Sequence, residues 1–258
     1  INSIAKDIGW DISHFRVVHA PDNKKASAVA VALARGGEVA ALMKGQVHTN
    51  DLMTAVVNRN LGLRTGRRLS HIFHMTIPER DRVLMITDGA VNVDPNTNTL
   101  VDITKNAIDL AHALDNPNPK VALISGTESI IESMPSSVIA GEVVKRFNNG
   151  EVIEAMVDGP FALDIAISPD AAKLKGVDSP VAGYADILVV PNIETGNGLF
   201  KMMTYFMSAT AAGIVMGAKV PIMLTSRADP AEARVASAAL SSIVANRSTE
   251  PKFIFPKE

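Results

Sequence analysis

Val220-Pro221-Ile222-Met223-Leu224-Thr225-Ser226-Arg227-Ala228-Asp229-Pro230-Ala231-Glu232 carries the plan of the chain in one stretch. An apolar, strand-like run stops at a loop bearing hydroxyls and a charge. A helix start follows, with Asp229 placed as N-cap, Pro230 as first helical residue and Glu232, three after the cap, as partner in a capping box. Outward from here the same alternation recurs: short β-branched runs ending in Gly, Pro, Asp or Ser, then longer Ala-rich segments. The predicted strands are 15–19, 39–43, 83–87, 121–125, 152–157, 186–190 and 220–224. Most are continuous apolar runs, as strands covered on both faces require. Helical stripes run through Ile103, Ala107, Leu110, Ala111 and Leu114, through Leu199, Met202, Met203 and Phe206, and through Ala236, Leu240, Ile243 and Val244. They are read as core; the Met-rich one fills space and is not a ligand box. The pattern predicts an α/β fold with mostly parallel strands, in which ligands bind beyond the carboxyl ends of the strands.

At 258 residues the chain can hold one large domain or two moderate ones, and it needs neither disulfides nor metal to fold. A net charge of −2, with no stripe of Lys and Arg interleaved with aromatics, argues against nucleic acid as partner. The absence of Cys excludes a cysteinyl thioester, a zinc-thiolate site and a disulfide framework, and it fits a reducing, cytoplasmic compartment. The apolar stretch 209–218 is too short to span a bilayer and ends at Lys219, so no membrane partner is expected. The chain opens at Ile1 with no charged-then-apolar leader, which points to a beginning further upstream and not to a signal peptide. His71 and His74 stand three apart in a strand-like run and would face opposite ways, so no metal site is expected.

The loops are where chemistry would sit. Ser226 and Arg227 precede a helix N-terminus, where backbone N–H groups and the helix dipole favour an anion. Arg227 could grip phosphate in a bidentate way and Ser226 could donate to a developing oxyanion; a surface Arg beside a turn Ser fits the local sequence equally well. After the strand 186–190, a loop Pro191-Asn192-Ile193-Glu194-Thr195-Gly196-Asn197-Gly198 leads to a helix carrying Lys201. Gly196 and Gly198 would allow close approach to the backbone, and Asn197 and Lys201 would offer an amide and a charge one helical turn apart, though glycines at this spacing also make a plain turn. Lys44 in Met43-Lys44-Gly45, Asn92 in Asp88-Gly89-Ala90-Val91-Asn92 and Asp158 in Asp158-Gly159-Pro160 each put a polar side chain at a predicted strand end, where turns are common. Arg64, Arg67 and Arg68 form a basic cluster suited to a nucleotide phosphate or to a solvated face. No G-x-S-x-G, P-loop or His-Glu-x-x-His motif occurs.

Together these segments resemble the phosphate acetyl/butyryltransferase family. Ala185-Asp186-Ile187-Leu188-Val189-Val190-Pro191-Asn192-Ile193-Glu194-Thr195-Gly196-Asn197 is similar to its A-D-I-L-x-x-P-x-x-E-x-G-N signature, and Gly213-Ile214-Val215-Met216-Gly217-Ala218-Lys219-Val220-Pro221 with Ser226-Arg227 resembles a second. Leu42-Met43-Lys44-Gly45, residues 63–71, Ile86-Thr87-Asp88-Gly89-Ala90-Val91-Asn92 and Val157-Asp158-Gly159-Pro160 extend the likeness over nearly the whole chain. The resemblance implies a phosphate acyltransferase that moves a short acyl group reversibly between coenzyme A and phosphate. It implies direct thiolate attack in a ternary complex, with acyl-CoA and phosphate (or acyl phosphate) as partners and no permanently bound cofactor. It implies a homodimer of subunits with two α/β domains, mostly parallel sheets and an interdomain cleft, in a fold similar to isocitrate and isopropylmalate dehydrogenases. The expected division sets 1–124 with 228–258 against 125–227, with one N-terminal βα unit missing. Ser226 and Arg227 become the expected catalytic residues, and Gly196, Asn197, Lys201, Lys44, Arg67, Arg68, Asn92 and Asp158 the expected substrate-binding ones.

One departure stands out. Phosphate acetyltransferases carry an Asp six residues after the loop Arg, proposed to assist thiol deprotonation; here position 233 is Ala. That is more like the butyryltransferase branch and the acetyltransferase-like domains that follow a hydratase domain in some bifunctional proteins, so acetyl and butyryl both remain open. The alternative is a non-catalytic acetyl-CoA-binding regulatory domain, as in some malic enzymes.

Overall fold

The computed structural model describes residues 2–78, 82–151, 154–225 and 229–247. In chain order its elements are α1 (Asn2–Asp7), α2 (Asn23–Arg35), β1 (Leu42–Met43), α3 (Thr49–Val56), β2 (Ser70–Thr76), β3 (Val83–Thr87), α4 (Thr97–Ala113), β4 (Lys120–Ile124), α5 (Pro135–Arg146), β5 (Met156–Phe161), α6 (Leu163–Ile167), α7 (Pro169–Leu174), β6 (Ile187–Val189), α8 (Ile193–Phe206), β7 (Thr210–Met216), β8 (Ile222–Met223) and α9 (Ala231–Arg247). Short polar side chains start several helices. Asp22 accepts from Lys25 N–H ahead of α2, Asn96 from Thr99 N–H ahead of α4, and Asn192 from Thr195 N–H ahead of α8. Each such cap stabilises its helix by about 1 kcal/mol.

The strands form one sheet in the order β1-β8-β7-β2-β3-β6-β4-β5. Parallel pairing joins β1 to β8, β3 to β6, β6 to β4 and β4 to β5; the pairs β8·β7, β7·β2 and β2·β3 are antiparallel, so four of seven contacts are parallel. Successive residues of a strand face opposite sides. Ile187 and Val189 accordingly pack with α4 and α5 residues such as Ile103, Leu110 and Val143, whereas Leu188 and Val190 pack with Phe73, Ile165 and Met203. A third apolar cluster, of Val31, Leu42, Leu52, Val56, Leu63, Val215 and Ile222, gathers around β1 and β8. Full burial of each Leu or Ile stabilises the fold by roughly 1.5–3 kcal/mol.

Several expectations are corrected. Residues 15–19 are not a strand: Phe15, Val17 and Val18 lie on the surface, with no neighbouring strand to pair with. The predicted strands 39–43 and 220–224 shrink to β1 and β8, two residues each. The strand expected at 152–157, whose residues 152 and 153 lie outside the described ones, is shifted to β5. Two strands go unpredicted, β2 and β7. These two carry antiparallel pairing over seven residue pairs, from Ser70↔Met216 to Thr76↔Thr210, and link the parallel strands on either side.

Candidate active site

Three chain segments meet where β3 and β6 end. The carboxylate of Asp88, only 2% exposed, accepts from the N–H groups of Ala90 (2.9 Å), Val91 (3.0 Å) and Asn92 (3.1 Å) and from the Asn92 amide (2.6 Å). Burial pushes its pKa up, and these four donors pull the other way. Asn92 also donates to the Leu69 carbonyl at 2.8 Å, which ties the loop to the start of β2. Both amide hydrogens of this expected substrate ligand therefore have partners within the chain.

α8 starts at Ile193, so Gly196, Asn197 and Gly198 sit in its first turns and not in the loop expected there. The close approach at Gly196 is made by the protein itself: a Cβ there would stand 2.6 Å from the Asp88 carbonyl oxygen and 2.9 Å from Gly89 Cα. A Cβ on Gly198 would meet nothing within 4 Å, so this second glycine faces open space. At the helix start, Ile193 N–H donates to the Val93 carbonyl and Thr195 N–H to the Asn192 side chain. The Asn197 amide reaches the Gly89 carbonyl over a long 3.4 Å, and Lys201 stands exposed one turn further on, on the same helix face.

The remaining expected ligands spread outward from this point. Arg67 and Arg68 precede β2; the Arg67 guanidinium is paired with half-buried Asp109 of α4, and Arg68 N–H donates to Asp102 at 3.0 Å. Burial raises the pKa of Asp109, and the Arg67 charge opposes that shift. Lys44 is further removed: it is buried after β1, with β8, β7 and β2 between β1 and β3, and its Nζ donates to the Gly45 (3.2 Å) and Val47 (3.4 Å) carbonyls. Asp158 does not join the group: it lies within β5, with β4 between it and β6, and accepts from Gly159 N–H. Ser226 and Arg227 lie outside the described residues.

Sequence reasoning passed over a row of three rings beside Gly89. His71 and Phe73 of β2 have centroids 4.3 Å apart, and Phe73 stacks flat on Phe200 of α8 at 3.9 Å with a 4° angle between planes. His71 is 1% exposed, its Nδ1 finds no hydrogen-bond partner among the described residues, and burial lowers its pKa to about 4. Gly213 faces it from β7, where an added Cβ would stand 3.0 Å from the imidazole. The signal available in the sequence was the His-x-Phe pair in a strand-like run, since residues two apart share a face. His71 and His74 point to opposite faces, as expected.

α9 corrects a further detail. It begins at Ala231, one residue later than read, which puts Glu232 at its second position, where it cannot close a capping box. Arg234 donates instead to the Asp229 carbonyl at 2.9 Å. Ala233 is 4% exposed and faces inward one turn before Ser237, whose hydroxyl accepts from Gly213 N–H.

An open α/β sheet with polar loops beyond its strand ends has the architecture of enzymes that bind their ligands there. Comparison with known proteins narrows this. The profile of the family described as "Phosphate acetyl/butaryl transferase" matches residues 2–242, and the chain belongs to that family; it is an acyltransferase. It is 45% identical to a phosphate acetyltransferase of Rickettsia prowazekii over 248 residues, covering 96% of this chain and 71% of that protein. It is 43% identical to a phosphate butyryltransferase of Clostridium acetobutylicum over 245 residues, covering 95% and 81%. Among solved structures, a branched-chain phosphotransacylase from Enterococcus faecalis V583 superposes with a TM-score of 0.82 at 37% identity, covering 88% of this chain and 82% of that one.

Proposed function

We propose that the chain transfers a short acyl group reversibly between coenzyme A and inorganic phosphate. The observation that carries this reading is membership of the transferase family over residues 2–242, with acetyl- and butyryltransferase relatives at nearly equal identity. In the forward direction a phosphate oxygen attacks the thioester carbonyl carbon, the C–S bond breaks, and the sulfur leaves with the electron pair and takes up a proton. In reverse, the thiolate attacks the carbonyl of the acyl phosphate and phosphate leaves with the C–O electron pair. Both directions pass through an oxyanion, which donors held in place stabilise better than water does.

Asn197 and Lys201 are assigned to the acyl carbonyl and its developing charge, Arg227 to phosphate and Ser226 to the oxyanion. Lys44, Arg67 and Arg68 supply positive charge around them, and Gly198 leaves room for the substrate backbone. Asn92 and Gly196 hold the site's shape more than they touch substrate, as their internal contacts indicate. Asp158 and Lys44 are the weakest members, set apart by β4 and by β8, β7 and β2. With Ala at 233, thiolate formation relies on nearby positive charge and not on a carboxylate base.

Coenzyme A enters as a substrate with no resident cofactor, and the working form is a cytoplasmic homodimer. No helix among the described residues is long and apolar enough to cross a membrane. The two-lobe division, 1–124 with 228–258 against 125–227, remains part of the proposal. The test is thiol release from acetyl-CoA and butyryl-CoA with phosphate or arsenate. Phosphate-dependent release is expected; tight acyl-CoA binding without release would favour the regulatory-domain reading instead.

A further inference from the structure

We propose that the Phe73–Phe200 stack limits the length of the acyl chain the enzyme accepts, with Phe200 as the residue that sets the limit. This rests on the acyl-transfer reading and on Asn197 lying beside the acyl carbonyl. Asn197 and Phe200 are three residues apart in α8 and share one helix face. Gly89 joins the two: its carbonyl accepts from the Asn197 amide, and a Cβ on it would stand 2.9 Å from the Phe73 ring. An acyl chain leaving a carbonyl held at Asn197 thus starts within reach of the stacked rings.

The packing around the stack explains why Phe200 and not Phe73 is the variable part. Phe73 is held in the sheet and is 9% exposed, with Gly89 on one side and Gly213 on another, where an added Cβ would stand 2.9 Å and 3.7 Å from its ring respectively. Neither glycine has a side chain to cover it. Phe200, half-buried, lies flat over the face of Phe73 and keeps part of its own ring open. Of the groups attached to the reacting carbonyl, the acyl tail is the one made only of apolar atoms, and it gains from an apolar wall. Truncating Phe200 would uncover the ring beneath and leave a space of several methylenes next to Asn197. Enlarging it would close the same space.

The experiment compares kcat/KM for acetyl-, butyryl- and hexanoyl-CoA with phosphate, by thiol release, in the wild type, Phe200→Ala, Phe200→Leu and Phe200→Trp. The hexanoyl-to-acetyl ratio should rise about tenfold or more in Phe200→Ala and less in Phe200→Leu, in line with the roughly 10- to 200-fold that one methylene is worth in an apolar pocket. Phe200→Trp should lower the butyryl-to-acetyl ratio. Should the truncated forms not fold, the Trp variant alone decides. Ratios unchanged within about twofold in folded variants, against an active wild type, would overturn the role of Phe200 and leave the transfer reading intact. A wild type that releases no thiol from any of the three would sink the transfer reading and this inference with it.

Discussion

The loop of residues 88–92 and the ring row His71–Phe73–Phe200 meet at Gly89 but are built on opposite principles. In the loop, a carboxylate buried to 2% exposure is matched by four donors, and the backbone of Asp88 and Gly89 is fitted against Gly196 with no space for a methyl group. In the ring row, an imidazole at 1% exposure leaves Nδ1 without a partner among the described residues, and two glycines offer the rings no side-chain cover. A buried polar group with all its partners fixes one geometry; one without them weakens the fold at that spot and is tolerated only where the surroundings hold it. The loop therefore acts as the rigid frame of the site, and the ring row as its adjustable part.

The largest effect expected from breaking this contrast is at Asp88. Asp88→Ala strips the partner from the N–H groups of Ala90, Val91 and Asn92 and from the Asn92 amide, and should destabilise the protein by about 3 kcal/mol, read as a shift in the urea midpoint. A loss below about 1 kcal/mol would show that the loop does not depend on its carboxylate.

The two helix glycines sharpen the comparison further. Alanine is the better helix former by roughly 1 kcal/mol, which favours both substitutions. At Gly196 the overlap with Asp88 outweighs that gain, so Gly196→Ala should cost about 2 kcal/mol, whereas Gly198→Ala should stabilise by about 0.5 kcal/mol. Equal effects at the two positions would remove the interlock from the account.

For the ring row the lever is pH. His71 is held neutral in the folded chain, with its pKa lowered from 6.5 to about 4, so the unfolded chain binds the proton first as pH falls. Its contribution is fully present above pH 6.5 and is lost between 6.5 and about 4, reaching about 2 kcal/mol of loss at pH 5. Asp88 and Asp109, with raised pKa values, work in the opposite sense and favour the folded state in acid. The measurement that isolates His71 is the difference in stability between pH 7 and pH 5 for wild type against His71→Phe. The same drop in both would exonerate the imidazole.

The smallest effect expected is at position 233. Ala233→Asp places a carboxyl at a site of 4% exposure, near a helix start whose dipole partly offsets the burial, for a net loss of about 1 kcal/mol. Burial should also raise that carboxyl's pKa toward the range where it serves as a base, so a stability loss with a gain in rate is the expected pairing; melting and thiol release on one sample check both.

What the sequence disclosed follows from which signals are local. β3, β4 and β6 read clearly, because strands buried on both faces are continuous apolar runs. β2 was hidden by its two histidines and β7 by Thr-Ala-Ala-Gly, a composition that suits a helix or turn as readily as a strand. Residues 15–19 had strand composition but gain no pairing partner, and strand propensity is a matter of context. The candidate residues could be named from the sequence by type, but the internal contacts of Gly196 and Asn92 could not. That these two meet Asp88 and Leu69 depends on β3, β6 and β2 lying side by side, an adjacency no local pattern records. His71 was dismissed for metal, and its packing against Phe73 and Gly213 is likewise a product of β2 and β7 pairing.

The position of β1 at one end of the sheet, with β8 as its one strand neighbour among the described residues, bears on how the chain is made. Leu42 pairs with Ile222, and the apolar cluster begun by Val31, Ala34, Leu52 and Val56 is closed by Val215 and Ile222. A nascent chain therefore carries the apolar faces of α2 and α3 uncovered through most of its synthesis. Contacts so distant in sequence form slowly, and the intervening wait favours capture by other sticky chains. Co-expressing residues 1–207 and 208–258 as two fragments should let this segment complete itself in trans, whereas the first fragment alone should collect in the insoluble fraction.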